Sequence, residues 1–165
     1  MTGTTVSDFS LASLVERGGV YYGIPGTGKK ELLASVIGLL PPSAALDREA
    51  LLREILEREA LVSTGMGRGI AIPHPRNPAP EIKAPLAAIA FPSRPVDWDS
   101  PDGVKVHAFF LLISTSVKQH LGALSKINFL CQQEKFYSLI EARSSKEVII
   151  SAIREAEAAW KTELS

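Results

Sequence analysis

Two apolar runs constrain the fold more than any other feature of the sequence. They are Ala84–Phe91, with the sequence APLAAIAF, and Lys105–Ile113, with the sequence KVHAFFLLI. Successive side chains of a strand point to opposite faces of the sheet, so a strand that is apolar at nearly every position has to be buried on both faces. The two runs therefore predict central strands of a sheet that other elements cover on both sides.

Amphipathic segments elsewhere in the chain supply the covering layers. Their apolar residues recur three or four positions apart, as on one face of a helix. The predicted helices are Lys29–Leu40, Asp47–Arg58, Lys118–Cys131 and Ser145–Trp160, and a further short strand is predicted at Gly19–Tyr22. Residues 1–10 are small and polar, which predicts a flexible tail before a single domain over residues 11–165. Interleaved helices and strands without a repeat place this domain in the α/β class.

Composition excludes several classes of protein. The 165 residues include 18 basic and 18 acidic side chains, and this balance gives no general attraction to nucleic acid or anionic lipid. A lone cysteine, Cys131, excludes an internal disulfide and a cysteine-rich metal site. The strongest apolar run, Ala108–Ile113, is too short to cross a bilayer, and the N-terminus lacks the features of a secretory signal. We therefore expect a cytoplasmic protein without membrane insertion.

The first candidate functional residue, His74, lies in a segment rich in proline and glycine, residues 61–80. This composition predicts a shaped loop with one brief strand at the apolar Ile-Ala-Ile sequence. Prolines on both sides of His74 stiffen the backbone from which its imidazole projects. A neutral imidazole is nucleophilic near pH 7 and can carry a phosphoryl group. The loop by itself leaves two interpretations open, a nucleophile and a surface histidine in a proline-rich turn.

His120 and Arg58 are candidates for binding an anion. His120 is predicted to begin a helix, where free amides and the helix dipole attract negative charge. Arg58 closes the predicted second helix, just before the His74 segment. The alternatives are a helix-start histidine bonded to a carbonyl and an arginine that offsets the dipole of its own helix. His107 lies inside an apolar run and is predicted to be structural, and no two histidines have the spacing of a metal site.

The stretch Gly23–Lys30 matches the phosphate-binding pattern G-x-x-x-x-G-K-[ST] at every position but the last. It lies between a β-like run and a helix, which is the context that the pattern requires. Lys30 replaces the serine or threonine hydroxyl that would bind Mg²⁺. We therefore expect an ordinary strand-to-helix turn and no nucleotide cofactor.

Three stretches carry a resemblance to a known family: ERE at residues 57–59, STGMGRGIAIPH at residues 63–74 and QHLGALSKI at residues 119–127. Together they resemble the IIA component of the phosphoenolpyruvate-dependent sugar phosphotransferase system. The match is to its fructose/mannitol class and especially to the nitrogen-regulatory branch. The resemblance extends over roughly residues 12–160.

The resemblance implies a mixed central sheet with helices on both faces, as in the mannitol-type IIA domain. It also implies that His74 accepts a phosphoryl group from a phosphohistidine carrier, HPr or its nitrogen-branch relative, while Arg58 and His120 supply charge and hydrogen bonds to the phosphoryl oxygens. The group would then pass to a sugar-permease IIB domain or act as a regulatory signal to target proteins, without a metal or nucleotide. The sequence contains no permease segments, which favours the regulatory branch.

Pro75 keeps a second hypothesis open. The family usually has glycine after its active histidine, whereas proline has no amide to donate to a phosphoryl oxygen. The alternative is a regulatory protein-binding module that retains the IIA fold and is not phosphorylated.

Overall fold

A five-stranded mixed sheet forms the centre of the molecule, for which a computed structural model describes residues 10–42, 46–80, 82 and 84–163. The strands are β1 Val20–Ile24, β2 Gly65–Gly67, β3 Ile70–Ala71, β4 Leu86–Pro92 and β5 Ala108–Ile113. Their order across the sheet is β1-β4-β5-β3-β2. β1 is parallel to β4 and β3 is parallel to β5, whereas the β4–β5 and β2–β3 pairs are antiparallel. The predicted α/β fold with a mixed sheet is therefore confirmed.

The two central strands are buried on both faces, as their composition predicts. Every residue of β4 and of β5 is buried. In β5, Phe110 and Leu112 enter one hydrophobic core, and Phe109 and Leu111 enter the other. Burying each side chain of this size contributes about 1.5–3 kcal/mol. Consecutive residues of one strand thus hold both covering layers to the sheet.

Six helices of the described chain form those layers. They are α1 Leu11–Gly18, α2 Lys29–Leu39, α3 Arg48–Leu61, α4 Val117–Gln132, α5 Glu134–Glu141 and α6 Lys146–Glu163. α2 and α3 cover one face of the sheet, and the other four cover the opposite face. The helices α2, α3, α4 and α6 match the four predicted ones, with ends that differ by a few residues. In the described part of the chain, none of these helices has the length and apolar character that a membrane span needs.

Two helices, α1 and α5, were not predicted from the sequence. Each has only eight residues, so its apolar side recurs too few times to distinguish a helix from a loop. The side chain of Ser10 accepts a hydrogen bond from the amide of Ser13 and caps α1, whereas the prediction placed Ser10 in the tail. Residues 1–9 of that predicted tail lie outside the described residues. At the end of α1, a Cβ on Gly18 would lie 2.1 Å from the carbonyl oxygen of Ala87, so only glycine fits against β4.

The segment before His74 is a β-hairpin and not the predicted loop with one strand. β2 and β3 pair antiparallel, and the turn between them uses positive φ angles at Gly67 (94°), Arg68 (58°) and Gly69 (81°). A strand of two or three residues is too short to show alternation in the sequence, which is why only the Ile-Ala-Ile sequence stood out. In the sequence STGMGRGIAIPH, Gly67 and Gly69 stand at positions where the turn needs a left-handed backbone.

The strand predicted at Lys105–Ile113 begins later than expected. β5 starts at Ala108, so His107 precedes the strand. The ring Nε2 of His107 donates to the carbonyl oxygen of Arg68 at 3.2 Å. A Cβ on Gly69 would lie 2.3 Å from the ring of His107, so the glycine makes room for this contact. His107 therefore supports the hairpin from outside the sheet.

Candidate active site

The backbone around His74 is tied to two neighbouring elements. The amide of Ile72 donates to the carbonyl oxygen of Thr64 at 3.1 Å, which connects the loop to the start of the hairpin. The amide of Leu112 donates to the carbonyl oxygen of Pro73 at 3.1 Å, which connects it to β5. These bonds lie immediately before His74 and fix the position of its Cα atom.

The imidazole of His74 is held in one tautomer. Its Nδ1 lies 2.8 Å from the carbonyl oxygen of Ile72, and because a carbonyl only accepts, Nδ1 carries the proton and donates. The lone pair of Nε2 is therefore available. Burial lowers the pKa of His74, and the charge of Arg58 acts in the same direction, while the Ile72 bond and Glu59 oppose them. The net lowering keeps the imidazole neutral, and thus nucleophilic, near pH 7.

His120 lies in the first turn of α4 and contacts His74. The centroids of the two rings are 4.6 Å apart, with 55° between the ring planes. The amide of His120 donates to the carbonyl oxygen of Ser116 at 3.0 Å, so the side chain is the group that can meet an anion. Burial, with smaller contributions from His74 and Arg58, lowers the pKa of His120 to about 4. In the free protein at neutral pH the ring of His120 is thus uncharged and can offer a hydrogen bond.

Ser114 bears on which nitrogen of His120 can donate. Its Oγ lies 3.4 Å from Nδ1 of His120. When the hydroxyl donates to Nδ1, the proton of the neutral ring is on Nε2. This arrangement directs the single N–H of His120 away from Ser114.

Arg58 lies in the last turn of α3 and lines the same surface depression as His74. The depression has a volume of about 270 Å³, and its other lining residues are Thr64, Met66, Ile72, Leu124 and Asn128. Nη1 of Arg58 donates to the carbonyl oxygen of Val62 at 2.8 Å, so the side chain also caps its own helix. The guanidinium carries further N–H groups that can bind an anion. The structure therefore brings Arg58, His74 and His120 to one place.

A second, smaller depression of about 110 Å³ also touches His120. It is lined by Pro75, Arg76, Asn77, Pro78, Ser114, Val117 and His120. Pro75 is buried and has no amide hydrogen. The side chains of Arg76 and Asn77 bring N–H groups to this part of the loop.

Glu59 is a buried residue beside Arg58 that was not predicted as a site residue. It is 6% exposed. Its carboxylate accepts hydrogen bonds from Nζ of Lys29 at 3.0 Å, from the amide of Thr64 at 3.0 Å and from Nε1 of Trp98 at 3.2 Å. One signal was present in the sequence, because the buried stripe of α3 consists of Leu51, Ile55 and Glu59. A carboxylate at the third position of an apolar stripe indicates a buried, partnered charge.

Lys29, the lysine of the phosphate-binding pattern, binds two carboxylates in the described structure. Its Nζ lies 3.0 Å from Glu59 and 3.5 Å from Asp99, and 5.6 Å from the ring centroid of Trp98. Gly28 is the N-cap residue of α2. The contacts of Lys29 tether α2 to α3. Among the described residues, no group of three or more His, Cys, Asp or Glu side chains is arranged to hold a metal ion.

Known proteins resemble this chain in sequence and in fold. A sequence profile of the family described as phosphoenolpyruvate-dependent sugar phosphotransferase system, EIIA 2, matches residues 15–156. The nitrogen regulatory protein of Pseudomonas aeruginosa is 32% identical over 120 residues, which are 71% of this chain and 77% of that protein. The fructose-specific EIIABC component of Bacillus subtilis is 29% identical over 148 residues, which are 88% of this chain but only 23% of that longer protein.

A solved structure agrees with the sequence comparisons. Nitrogen regulatory protein IIA-Ntr from Neisseria meningitidis matches with a TM-score of 0.77 and 26% identity, over 87% of this chain and 98% of its own. The profile match includes α3, the His74 segment and the start of α4, which together form the site described above. The chain therefore belongs to the EIIA type 2 family of the phosphoenolpyruvate-dependent sugar phosphotransferase system.

Proposed function

We propose that the chain is a phosphoryl carrier in which Nε2 of His74 accepts the phosphoryl group of a phosphohistidine donor. The observation that carries the proposal is the bond from Nδ1 to the carbonyl oxygen of Ile72 at 2.8 Å. It leaves a lone pair on Nε2 of a neutral ring, in a depression that Arg58 also lines. Membership of the EIIA family supports the same assignment.

The transfer balances without a metal or a general base. A bond forms between Nε2 of His74 and phosphorus, while the nitrogen–phosphorus bond of the donor breaks and its electron pair returns to the donor imidazole. Because Nε2 carries no proton, none has to be removed before attack. The positive charge that develops on the ring of His74 is stabilised by the Nδ1–H bond to Ile72. The same arrangement makes His74 a good leaving group for the next transfer.

Arg58 and His120 are proposed to bind the phosphoryl oxygens. A phosphorylated side chain brings roughly two negative charges at neutral pH. Arg58 meets them with a permanent cation, and His120 meets them with an N–H group. Arriving negative charge also favours protonation of His120, whose pKa of about 4 in the free protein then rises.

The donor and the acceptor are proposed to be proteins. Exposed apolar side chains flank the site: Leu61 and Val62 where α3 ends beside Arg58, and Val117 and Leu121 close to His120, each at least 59% exposed. Such side chains favour contact with another protein surface. An HPr-like phosphocarrier would supply the phosphoryl group in the cytoplasm. A sugar-permease IIB domain would remove it, or regulatory targets would bind the phosphorylated form. The relatives described above include a fructose-specific EIIABC component and a nitrogen regulatory protein.

The test is labelling with phosphoenolpyruvate, enzyme I and a phosphocarrier, followed by mass spectrometry under alkaline conditions that preserve phosphohistidine. We expect one phosphoryl group on the parental chain and none on His74→Ala. The parallel variant His107→Ala is the control, because His107 lies beside the hairpin and is expected to leave labelling intact. Full labelling of His74→Ala would refute the assignment. No labelling of the folded parental chain would favour the alternative, a binding module that is not phosphorylated.

A further inference from the structure

We infer that Glu59 is a positioning residue for His74, acting through Thr64 and Ile72. The inference rests on the proposed phosphoryl transfer and adds to it a buried residue that does not touch the phosphoryl group. It also gives a functional role to a buried, partnered carboxylate that lies next to the site.

The first link is between Glu59 and Thr64. The carboxylate accepts from the backbone amide of Thr64 at 3.0 Å and from its hydroxyl. Nε1 of Trp98 lies 3.2 Å from the carboxylate and 3.2 Å from Oγ1 of Thr64, so a buried ring holds both groups from one side. The backbone of Thr64 is thus fixed by a side chain of α3 before the hairpin begins.

The second link runs from Thr64 to the imidazole. The carbonyl oxygen of Thr64 accepts from the amide of Ile72 at 3.1 Å, and the carbonyl oxygen of Ile72 accepts from Nδ1 of His74 at 2.8 Å. The peptide groups of Thr64 and Ile72 are therefore placed between the carboxylate and the ring. A shift of Thr64 displaces the acceptor that selects the Nδ1–H tautomer.

The chemistry of the contacts explains why a carboxylate is needed at this position. The groups that Glu59 meets are the amide and hydroxyl of Thr64, the indole N–H of Trp98 and the ammonium of Lys29, and all of them donate. A carboxylate has only acceptors, whereas a glutamine would turn an NH₂ group toward one of these donors. The change from Glu to Gln keeps the size of the side chain and breaks the network.

A positioning role for Glu59 predicts different results for replacing Glu59 and for replacing its ion-pair partner Lys29. Lys29 contacts Glu59 and Asp99, and neither contact is part of the path to His74. A purely structural ion pair would give the same result when either partner is replaced. A positioning role for Glu59 requires that only the change at Glu59 reaches the imidazole.

The experiment compares Glu59→Gln with Lys29→Met in the full chain labelled with ¹⁵N-histidine. Long-range ¹H–¹⁵N spectra report which ring nitrogen of His74 carries the proton, and they need no phosphorylation. Labelling by the phosphorylated carrier gives the transfer rate. Glu54→Gln, an exposed position on the same helix, is the matched control. The double variant Glu59→Gln/Lys29→Met also removes the lysine, which Glu59→Gln would leave with only part of its acidic environment, at Asp99. It replaces the single variant if Glu59→Gln does not fold.

We expect Glu59→Gln and the double variant to populate both tautomers of His74 and to be labelled about tenfold more slowly, which corresponds to about one hydrogen bond. Lys29→Met should lose stability but keep the Nδ1–H tautomer and label within twofold of the parental rate. A single Nδ1–H tautomer with parental labelling in the Glu59 variants would overturn the inference and leave the proposed function standing. If Lys29→Met changes the tautomer as much as Glu59→Gln does, the ion pair is structural and the inference also fails. In a further outcome, the parental chain is not labelled at all while the Glu59 variants still change the tautomer of His74. That result would support the positioning role and reject the phosphoryl transfer.

Discussion

Two buried carboxylates organise two different regions of the molecule. Glu59, on α3, is 6% exposed, and Glu157, on α6, is 8% exposed. Glu157 accepts from the amides of Leu11 at 2.9 Å and Ala12 at 3.0 Å, the first two residues of α1. Further donors to Glu157 are the hydroxyl of Ser10 at 3.0 Å and the ammonium of Lys126 at 3.1 Å. Both carboxylates thus accept from backbone amide, hydroxyl and lysine donors, with one amide at Glu59 and two at Glu157.

The difference lies in what the donors belong to. The amide that Glu59 holds is five residues away and leads toward the hairpin and His74. The amides that Glu157 holds are 145 and 146 residues away, so this carboxylate joins the first described helix to the last. It also lies at the positive end of the α1 dipole. The same chemical group therefore holds the backbone that leads toward His74 in one region and joins the first described helix to the last in the other.

The largest expected effect is on the rate of phosphoryl transfer, and it should be confined to the region around His74. Arg58→Ala and His120→Ala should each slow phosphorylation of His74 by at least tenfold, because a charge-assisted hydrogen bond is worth about 1.5–3 kcal/mol, or about 10- to 150-fold in rate. The measurement is the initial rate of labelling, with circular dichroism to show that the fold is intact. Arg53→Ala, an exposed arginine on the same helix, should label normally. Parental rates in both variants would mean that the three-residue site is wrong.

An effect of comparable size, on stability and not on transfer, is expected at Glu157. Glu157→Gln presents an NH₂ group to donors and should lower the free energy of unfolding by about 2 kcal/mol. This value corresponds to about thirtyfold in the unfolding equilibrium. Urea titration measures it. Glu155→Gln, a substitution on the same helix that removes an exposed ion pair, should change stability by less than about 0.5 kcal/mol. Labelling of His74 should stay at the parental rate, and a tenfold loss would contradict the division between the two regions.

The stabilisation by Glu157 should disappear in acid. Burial by itself would raise the pKa of Glu157, but the amides of Ala12 and Leu11 together with Lys126 outweigh burial and lower the pKa below its usual value. A lowered pKa in the folded state means that the contribution is complete above the unfolded value, about 4.3, and is lost as the pH falls through the folded value. The stability difference between the parental chain and Glu157→Gln should therefore be constant from pH 7 to 5 and shrink below pH 4.

The smallest expected effect concerns Pro75. Pro75→Gly restores a backbone amide next to His74 and should recover part of the rate lost in Arg58→Ala, by about fivefold, which corresponds to about 1 kcal/mol of hydrogen bonding to the phosphoryl group. The double variant is compared with Pro78→Gly in the same background, since Pro78 lines the same small depression and the change adds similar flexibility. Equal recovery from both glycines would assign the gain to loop mobility and not to the amide of residue 75.

The central strands could be predicted from the sequence because their burial leaves a local trace. In β4 and β5 each residue is apolar or small whichever face it meets, so composition alone identifies them. His74, Arg58 and His120 could be selected because the motifs around them are specific, and the structure places all three together. Their roles in phosphoryl transfer stay predictions.

The two carboxylates could not be predicted in the same way. A buried glutamate differs from an exposed one only by its surroundings, and the donors of Glu157 are 145 or more residues away, except for Lys126. Glu59 left a weaker trace, as the polar member of the stripe that begins with Leu51 and Ile55. The short helices α1 and α5 are ordered by their packing on the sheet, which local periodicity does not record.

The open depression at His74 has a consequence for how long a phosphoryl group would persist there. Its volume is about 270 Å³, and side chains nearby such as Val62 and Leu121 are more than half exposed. A phosphoryl group bound to Nε2 would remain in contact with water until another protein covered it, and nitrogen–phosphorus bonds hydrolyse. The amount of phosphorylated chain would then follow the supply of donor. Water would remove the phosphoryl group when the supply stops, and a bound partner would protect it.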